Sequence, residues 1–306
     1  MKRIIPSLLL LCFSMLACAQ GQHGIIRRNK YPKTIKGNTK KTVRNYSKEI
    51  KVKKKSVKSN KTRTFKTENA EEIILDKDDK SPKENNIIKE IINNMVYVQG
   101  GTFIMGATKE QYQDSESDEE PNHVVTLSSF HIGRYEITQQ EWVEIMGYNP
   151  SILKGKILPV YNVSWKECQD FISKLNKITG LKFRLPTEAE WEFSAKGGVH
   201  SHGFKYSGSN IIDDVAWYDK NSNQEVHIVG LKESNELGLY DMSGNIQEWC
   251  NDWYGIYRSK SQNNPTGEEI GTFRVNRGGD WHDGANKCRV TSRNYEGSCV
   301  GLRLAM

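Results

Sequence analysis

Five short motifs follow one another along the carboxyl-terminal part of this 306-residue chain, and they constrain its fold more than any other feature. In chain order they are GGTFIMG at residues 100–106, RLPTEAEWE at 184–192, GNIQEW at 244–249, RGGDW at 277–281 and GLRLA at 301–305. One motif of this length is weak evidence, but five in a fixed order form a specific signature. The signature predicts that this stretch folds as one unit.

Local patterns support a mixture of helices and strands. Three Ser or Thr residues are each followed three positions later by Glu, a capping box in which the hydroxyl and the carboxylate each accept a backbone amide. These residues are Thr138, Ser164 and Thr187. Runs of β-branched and aromatic residues predict strands at residues 95–98, 103–105 and 124–127. These local signals alone indicate only an α+β domain.

The five motifs closely resemble the formylglycine-generating enzyme family, also called the sulfatase-modifying factor domain. The resemblance covers residues 91–306. It implies one α+β domain with a C-type-lectin-like fold and little regular secondary structure. The family includes copper-dependent oxidases as well as many members with no known chemistry, so the resemblance leaves the activity open.

The first 19 residues are typical of an export signal. A positively charged start is followed by a short apolar stretch and by the small-residue site Ala17-Cys18-Ala19. Two alternatives remain open: cleavage after Ala19, or cleavage after residue 17 with lipid attached to Cys18 and membrane attachment through it. Either alternative predicts an exported protein that is periplasmic, secreted or an outer-membrane lipoprotein.

Residues 20–90 are predicted to form a basic disordered linker. Within residues 27–66, 17 Lys and Arg accompany a single acid, Glu49. A segment with so few apolar residues cannot bury enough surface to offset its ordering entropy. We expect a solvated spacer, or a contact with an anionic component of the envelope. The sequence contains no nucleic-acid-binding motif, and a nucleic-acid partner is not expected.

Four cysteines follow the leader: Cys168, Cys250, Cys288 and Cys299. An even number in an exported chain predicts one or two disulfides. Three pairings are possible for four cysteines, and the sequence does not choose among them.

The resemblance also implies structural Ca²⁺ ions. Calcium takes six to eight oxygen ligands from carboxylates, carbonyls and water. In the first implied site the ligands are the side chains of Asp241 and Glu248 and the carbonyls of Gly244 and Ile246. The alternative is an acid pair that only caps the loop. A second implied site involves Asn210 and Ile211.

The segment after Gly279 decides whether oxidase chemistry is expected. In the family's oxidases a Ser follows the double glycine, and two cysteines four and nine residues after the second glycine hold Cu(I). Here these positions are Asp280, Asp283 and Cys288. One thiolate and one carboxylate make a poor Cu(I) site, because carboxylates suit harder cations. Cys288 is therefore a catalytic candidate only under the oxidase hypothesis, and its alternative is a buried or disulfide-bonded cysteine.

Three functions follow from these observations. The first is an exported domain without oxidase chemistry that acts as a binding or assembly module in the cell envelope, with an envelope protein or a polysaccharide as its partner. The second is a copper oxidase that converts a sulfatase cysteine to formylglycine. The third is a lectin-like module that binds a ligand through the loop at residues 280–287, including His282.

Overall fold

The structure is a computed structural model that describes residues 84–306, so the predicted leader and nearly all of the predicted linker lie outside the described residues. The α-helices are α1 (Glu84–Asn93), α2 (Gln139–Met146), α3 (Trp165–Thr179), α4 (Glu188–Ala195) and α5 (Ile212–Val215). The strands are β1 (Met95–Val98), β2 (Gly101–Met105), β3 (His123–Leu127), β4 (Phe130–Gly133), β5 (Gln247–Trp253), β6 (Gln262–Asn263), β7 (Arg274–Arg277), β8 (Arg293–Asn294) and β9 (Val300–Gly301). In this part of the chain, no helix is both long and apolar enough to cross a bilayer.

Helices α2, α3 and α4 begin at the three predicted capping boxes. Thr138, Ser164 and Thr187 each accept a hydrogen bond from the amide three residues later, and the Glu at that position accepts one from the cap amide. Helices α2 and α3 end at Gly147 and Gly180, whose φ angles of 84° and 71° suit glycine. These helix predictions are confirmed.

Helix α1 shows that the domain begins before residue 91, the predicted first residue of the domain. The sequence prediction ends the linker at residue 90, but that boundary falls inside α1. Ile87 and Ile91 of α1 are buried in the same apolar cluster as Trp142 and Leu175. The last residues assigned to the linker are therefore part of the domain, because their isoleucines repeat at helical spacing and bury one face.

Three small sheets place the later motifs together. Strand β1 pairs with β4, and a second sheet has the order β2-β3-β6. The third sheet has the order β8-β7-β5-β9, with β5 antiparallel to β7 and parallel to β9. Gln247 at the start of β5 pairs with Val300 of β9. This pairing brings the ends of three separate motifs to one edge of the domain.

Four buried arginines join distant segments, and we refer to them as the arginine framework: Arg277, Arg289, Arg293 and Arg303. Each forms an ion pair with at least one buried glutamate from another segment of the chain. The acid partners are Glu192 and Glu188 for Arg277, Glu119 for Arg289, Glu188 for Arg293 and Glu248 for Arg303. Charge-assisted pairs of this kind offset the cost of burying both ions and fix the loops that carry them.

Candidate functional site

A double-glycine turn positions the segment that the sequence marked as decisive. Strand β7 ends at Arg277, and Gly278 and Gly279 follow with φ angles of 100° and 68°. A Cβ atom on Gly279 would lie 2.9 Å from the carbonyl oxygen of Lys287 and 3.0 Å from the sulfur of Cys288. Only glycine fits this turn without displacing its neighbours, and the turn directs Asp280 toward the start of β5.

Asp280 and Asp283 share one amide group. The side-chain nitrogen of Gln247 donates to one carboxylate oxygen of each aspartate, at 3.1 Å in both cases. The Asp280 backbone amide donates to that same oxygen of Asp283, at 3.0 Å. Burial raises the pKa of Asp283, and the neighbouring charge of Asp280 raises it further. The buried carboxylate of Asp280 and the partly buried carboxylate of Asp283 are therefore joined by one neutral side-chain amide and one backbone amide.

His282 and Cys299 complete this cluster. The Nδ1 atom of His282 lies 2.5 Å from Asp280, and the hydrogen bond to Asp280 raises the pKa of the imidazole. One donor atom each from Asp280, His282 and Cys299 lie within 4.8 Å of one another. Asp280 and Cys299 are buried, whereas 46% of the His282 side chain is exposed. The arrangement combines carboxylate, imidazole and thiol donors with access to solvent on one side.

Cys288 is not one of the donors of that cluster. Its side chain is fully buried against Tyr206, Val215 and Tyr218, and burial raises the pKa of its thiol well above the ordinary value. A Cu(I) site needs thiolate donors that a substrate can reach, and Asp283 at the other implied position is a carboxylate bonded to Gln247. The residues present do not fit a Cu(I) site at Cys288.

The expectation of disulfides is wrong for the described residues. Cys168, Cys250, Cys288 and Cys299 are all buried, and no disulfide joins any two of them. Each belongs to a different apolar cluster. The thiols are separated because each fills its own part of the core, where a cysteine packs as a small apolar residue.

Only part of the loop from Asp241 to Glu248 suits a calcium ion. One carboxylate oxygen of Asp241 accepts from the Gly230 amide at 2.6 Å, while its other oxygen is buried without a hydrogen-bond partner. Glu248, in contrast, accepts from Arg303 and from the Trp191 indole through both oxygens. Asp241 suits a cation, and Glu248 is already neutralised by an arginine.

The other residues implied for calcium are placed as follows. The carbonyls of Gly244 and Ile246 belong to the loop between those two acids, and the Gly244 amide donates to Gly278. The Asn210 side chain accepts from the Lys205 amide at 2.9 Å, and Ile211 is exposed. Calcium at both loops stays a prediction.

Glu136 is a buried acid that sequence reasoning missed. The Asn245 side chain donates to both of its carboxylate oxygens, at 3.2 Å. Burial raises the pKa of Glu136 well above its ordinary value, and the charges of Asp241 and Glu248 add to the effect. Burial likewise raises the pKa of Asp241 to about 6. Arg303 is a compensating cation whose charge acts on all three acids. No local sequence pattern distinguishes Glu136 from an exposed acid.

A cavity of about 440 Å³ lies beyond the end of β5. Asp252, Tyr257 and Arg293 contribute to its lining, which is polar and partly aromatic. Burial, followed by the charge of Glu188, raises the pKa of Asp252 to about 8. A second cavity, of about 460 Å³, shares part of this lining, and residues 280–287 line neither cavity.

The domain is similar to several known proteins. The Sulfatase-modifying factor enzyme 1-like domain matches residues 80–306. Chaperone protein LppX of Paenibacillus barcinonensis is 32% identical over 70% of this chain and 89% of that protein. The formylglycine-generating enzyme of Thermomonospora curvata is 27% identical over 67% of this chain and 89% of the enzyme. The solved structure of Treponema denticola variable protein 1 superposes with a TM-score of 0.62, at 31% identity over 69% of this chain and 94% of that one. The predicted C-type-lectin-like α+β fold is confirmed.

Proposed function

Because this chain belongs to the sulfatase-modifying factor enzyme 1-like family, we propose that it is an exported binding or assembly module of the cell envelope without copper oxidase chemistry. The observation that carries the proposal is the position of Cys288. Its thiol is enclosed by apolar side chains, and the other cysteine position of the oxidases, four residues after Gly279, is occupied by Asp283.

The electrostatics around Cys288 also support a module without oxidase chemistry. A thiol binds metal or reacts as its thiolate, which needs a nearby cation or access to solvent. Cys288 is fully buried, and the neighbouring charges of Asp283 and Asp280 raise its pKa further. The cysteine therefore stays protonated at neutral pH and contributes to packing.

A polypeptide partner is favoured by one relative. The protein from Paenibacillus barcinonensis is named a chaperone, and its similarity spans 89% of that protein. A domain of this family that assists assembly would act through its surface and its loops rather than through a thiol. The predicted leader and basic linker would place such a surface in the envelope, at a distance from an anchor on Cys18.

A peptide assay tests the absence of oxidase chemistry. The purified full-length protein is incubated with copper, oxygen and a peptide of the pattern Cys-x-Pro-x-Arg, and the peptide is weighed by mass spectrometry. We expect an unchanged peptide, with the Thermomonospora curvata enzyme as the active control. Conversion of thiol to aldehyde by the wild-type protein, lost in Cys288→Ala, would establish the oxidase alternative instead.

The localisation is tested separately by fractionating cells that express the full chain. A protein cleaved after Ala19 gives a soluble exported product whose amino terminus is Gln20. A lipid-anchored protein stays with membranes, and Cys18→Ser releases it or blocks its processing. A product retained in the cytoplasm with its leader intact contradicts the proposal.

A ligand-binding function is the second candidate, because the cavity lined by Tyr257 and Arg293 is concave, polar and partly aromatic. Such cavities of several hundred Å³ suit small ligands or sugar units. Its location differs from the loop at residues 280–287 that the sequence favoured. The test is retention of the protein by envelope polysaccharide. Weaker retention of the double variant Arg258→Ala/Lys260→Ala, which changes two residues at the rim of the cavity, would support this candidate. Equal retention of the variant would exclude the cavity as the binding site.

A further inference from the structure

We propose that Asp280, His282 and Cys299 bind one divalent transition-metal ion, with Zn²⁺ as the best match to the three donors. The site shares Asp280 with the segment that carries the oxidase positions, but its donors include neither Cys288 nor the ligands implied for calcium. It also does not depend on which partner the domain binds.

The donor atoms already lie near the arrangement that a metal requires. Zinc binds sulfur at about 2.3 Å and nitrogen or oxygen at about 2.0–2.2 Å, so donors around a tetrahedral ion lie roughly 3–4 Å apart. The carboxylate, imidazole and thiol donors here all lie within 4.8 Å of one another. Binding therefore requires only small movements, chiefly of His282, whose side chain is half exposed.

The charge balance favours a cation at this point. Asp280 is buried and Asp283 beside it is partly buried, and in the described part of the chain neither forms an ion pair with Lys or Arg. Among the described residues, their side-chain partners are the neutral amide of Gln247 and, for Asp280, the imidazole of His282. Buried carboxylates without a matching cation are costly, and a dication would offset this cost.

The mixture of donors selects the class of metal. Thiolate disfavours Ca²⁺ and Mg²⁺, whereas carboxylate disfavours Cu(I). Zinc accepts sulfur, nitrogen and oxygen together and has no geometric preference from its d electrons. Three protein donors leave a fourth position, and the exposed side of His282 gives that position access to solvent.

The second layer of contacts is suited to holding the ligands. Gln247 fixes Asp280 from the start of β5, and Asp283 accepts from the Asp280 amide. Gln247 itself is 4% exposed, and its side-chain oxygen is buried without a hydrogen-bond partner. The Gln247 backbone amide donates to the Cys299 carbonyl at 3.2 Å, so the same residue ties the two buried donors together.

The test is metal binding by the full-length protein after its metal has been removed with a chelator. Zn²⁺ is titrated calorimetrically, and Co²⁺ is used as a spectroscopic probe, since thiolate bound to Co²⁺ gives a charge-transfer band in the near ultraviolet. We expect one high-affinity equivalent and a thiolate band in the wild-type protein. Cys299→Ser should abolish the band, and His282→Ala should weaken Zn²⁺ binding at least about tenfold.

Matched controls separate this site from other cysteines and histidines. Cys168→Ser removes a thiol that is equally buried in α3, and His202→Ala removes an exposed histidine that lies beside Glu236. Both should retain the metal affinity and the band. If Cys299→Ser fails to fold, as judged by near-ultraviolet circular dichroism, His282→Ala still decides the question. A wild-type protein that binds no Zn²⁺, or an affinity unchanged in His282→Ala, would overturn the proposal.

Discussion

The arginine framework and the loop at residues 280–283 both bury carboxylates, but they neutralise them differently. In the framework, Arg303 donates to both oxygens of Glu248, and Arg293 donates to both oxygens of Glu188. In the loop, Asp280 and Asp283 contact a side-chain amide, backbone amides and one half-exposed histidine. The same residue type thus serves two purposes, depending on which charge lies opposite.

The difference indicates which carboxylates of this domain can still bind a proton or a cation. A glutamate locked to a buried arginine fixes two distant segments and has little capacity left for another ligand. An acidic pair without an arginine keeps its affinity for protons and cations. Binding capacity is therefore expected in the loop rather than in the motifs that carry the framework, although those motifs are the most recognisable part of the sequence.

The largest effect is expected from breaking the framework at Arg303. Arg303→Met leaves Glu248 buried without its cation, beside Glu136 and Asp241, and should lower the free energy of unfolding by about 3–5 kcal/mol. Urea denaturation followed by circular dichroism measures this change. The double variant Glu248→Gln/Arg303→Met should lose less than Arg303→Met alone.

A surface pair provides the control for that variant. Arg258 and Glu268 form an ion pair with side chains 66% and 40% exposed, and Arg258→Ala should change the free energy of unfolding by less than about 1 kcal/mol. A loss for Arg303→Met no larger than that for Arg258→Ala would show that the buried pair is not needed to hold the fold.

An intermediate effect is expected at Asp252, an acid in the cavity wall with a pKa of about 8. In the unfolded chain its carboxyl ionises near its ordinary pKa of 3.8, so the folded protein holds an extra proton between these values and loses stability as pH rises. Asp252→Asn keeps an acceptor for the Glu188 amide. It should be more stable than the wild type by roughly 2 kcal/mol at pH 8.5 and by much less at pH 4.

The prediction for Asp252 is tested by comparing the free energy of unfolding of Asp252→Asn and the wild type at several pH values. Thermal or urea unfolding of both proteins is followed at pH 4, 6 and 8.5. A stability difference that is the same at all three values would mean that Asp252 ionises normally in the folded protein, and that its effect on stability is one of packing.

The smallest effect is expected at Asp283 in the presence of a chelator. Burial and the charge of Asp280 raise the pKa of Asp283, so ionisation lowers the stability of the folded state progressively above pH 4. Asp283→Asn retains an oxygen that can accept from Gln247 and from the Asp280 amide. We expect Asp283→Asn to be more stable than the wild type at pH 8 and little changed at pH 4. A loss of stability at pH 8 would indicate that the negative charge is already compensated.

Features fixed by neighbouring residues could be predicted from the sequence. The boxes at Thr138, Ser164 and Thr187 place helix starts correctly because both capping partners lie within one turn. Strands β1, β2 and β3 follow from their β-branched and aromatic residues. Helix α1 was missed because a Lys- and Asp-rich stretch precedes it and hides its short isoleucine repeat.

The candidate site could be predicted only in part, because its geometry depends on long-range pairing. Asp280 and Asp283 were identified from their spacing after Gly279. Cys299 reaches them through the parallel pairing of β5 with β9, and no local pattern indicates that pairing. The same reason explains why the prediction of disulfides is wrong. The number of cysteines can be read from a sequence, but their separation into different core clusters cannot.

The four separately buried thiols have a consequence for biogenesis. If the chain is exported as its leader predicts, it folds where oxidants join any two thiols that meet. Within residues 84–306 no disulfide joins any two of these four thiols, so a disulfide formed among them during folding would be an error that traps the chain. Correct folding then requires that the core forms faster than the thiols are oxidised. A reducing step, or a chaperone that shields the nascent chain, should therefore raise the yield of folded protein.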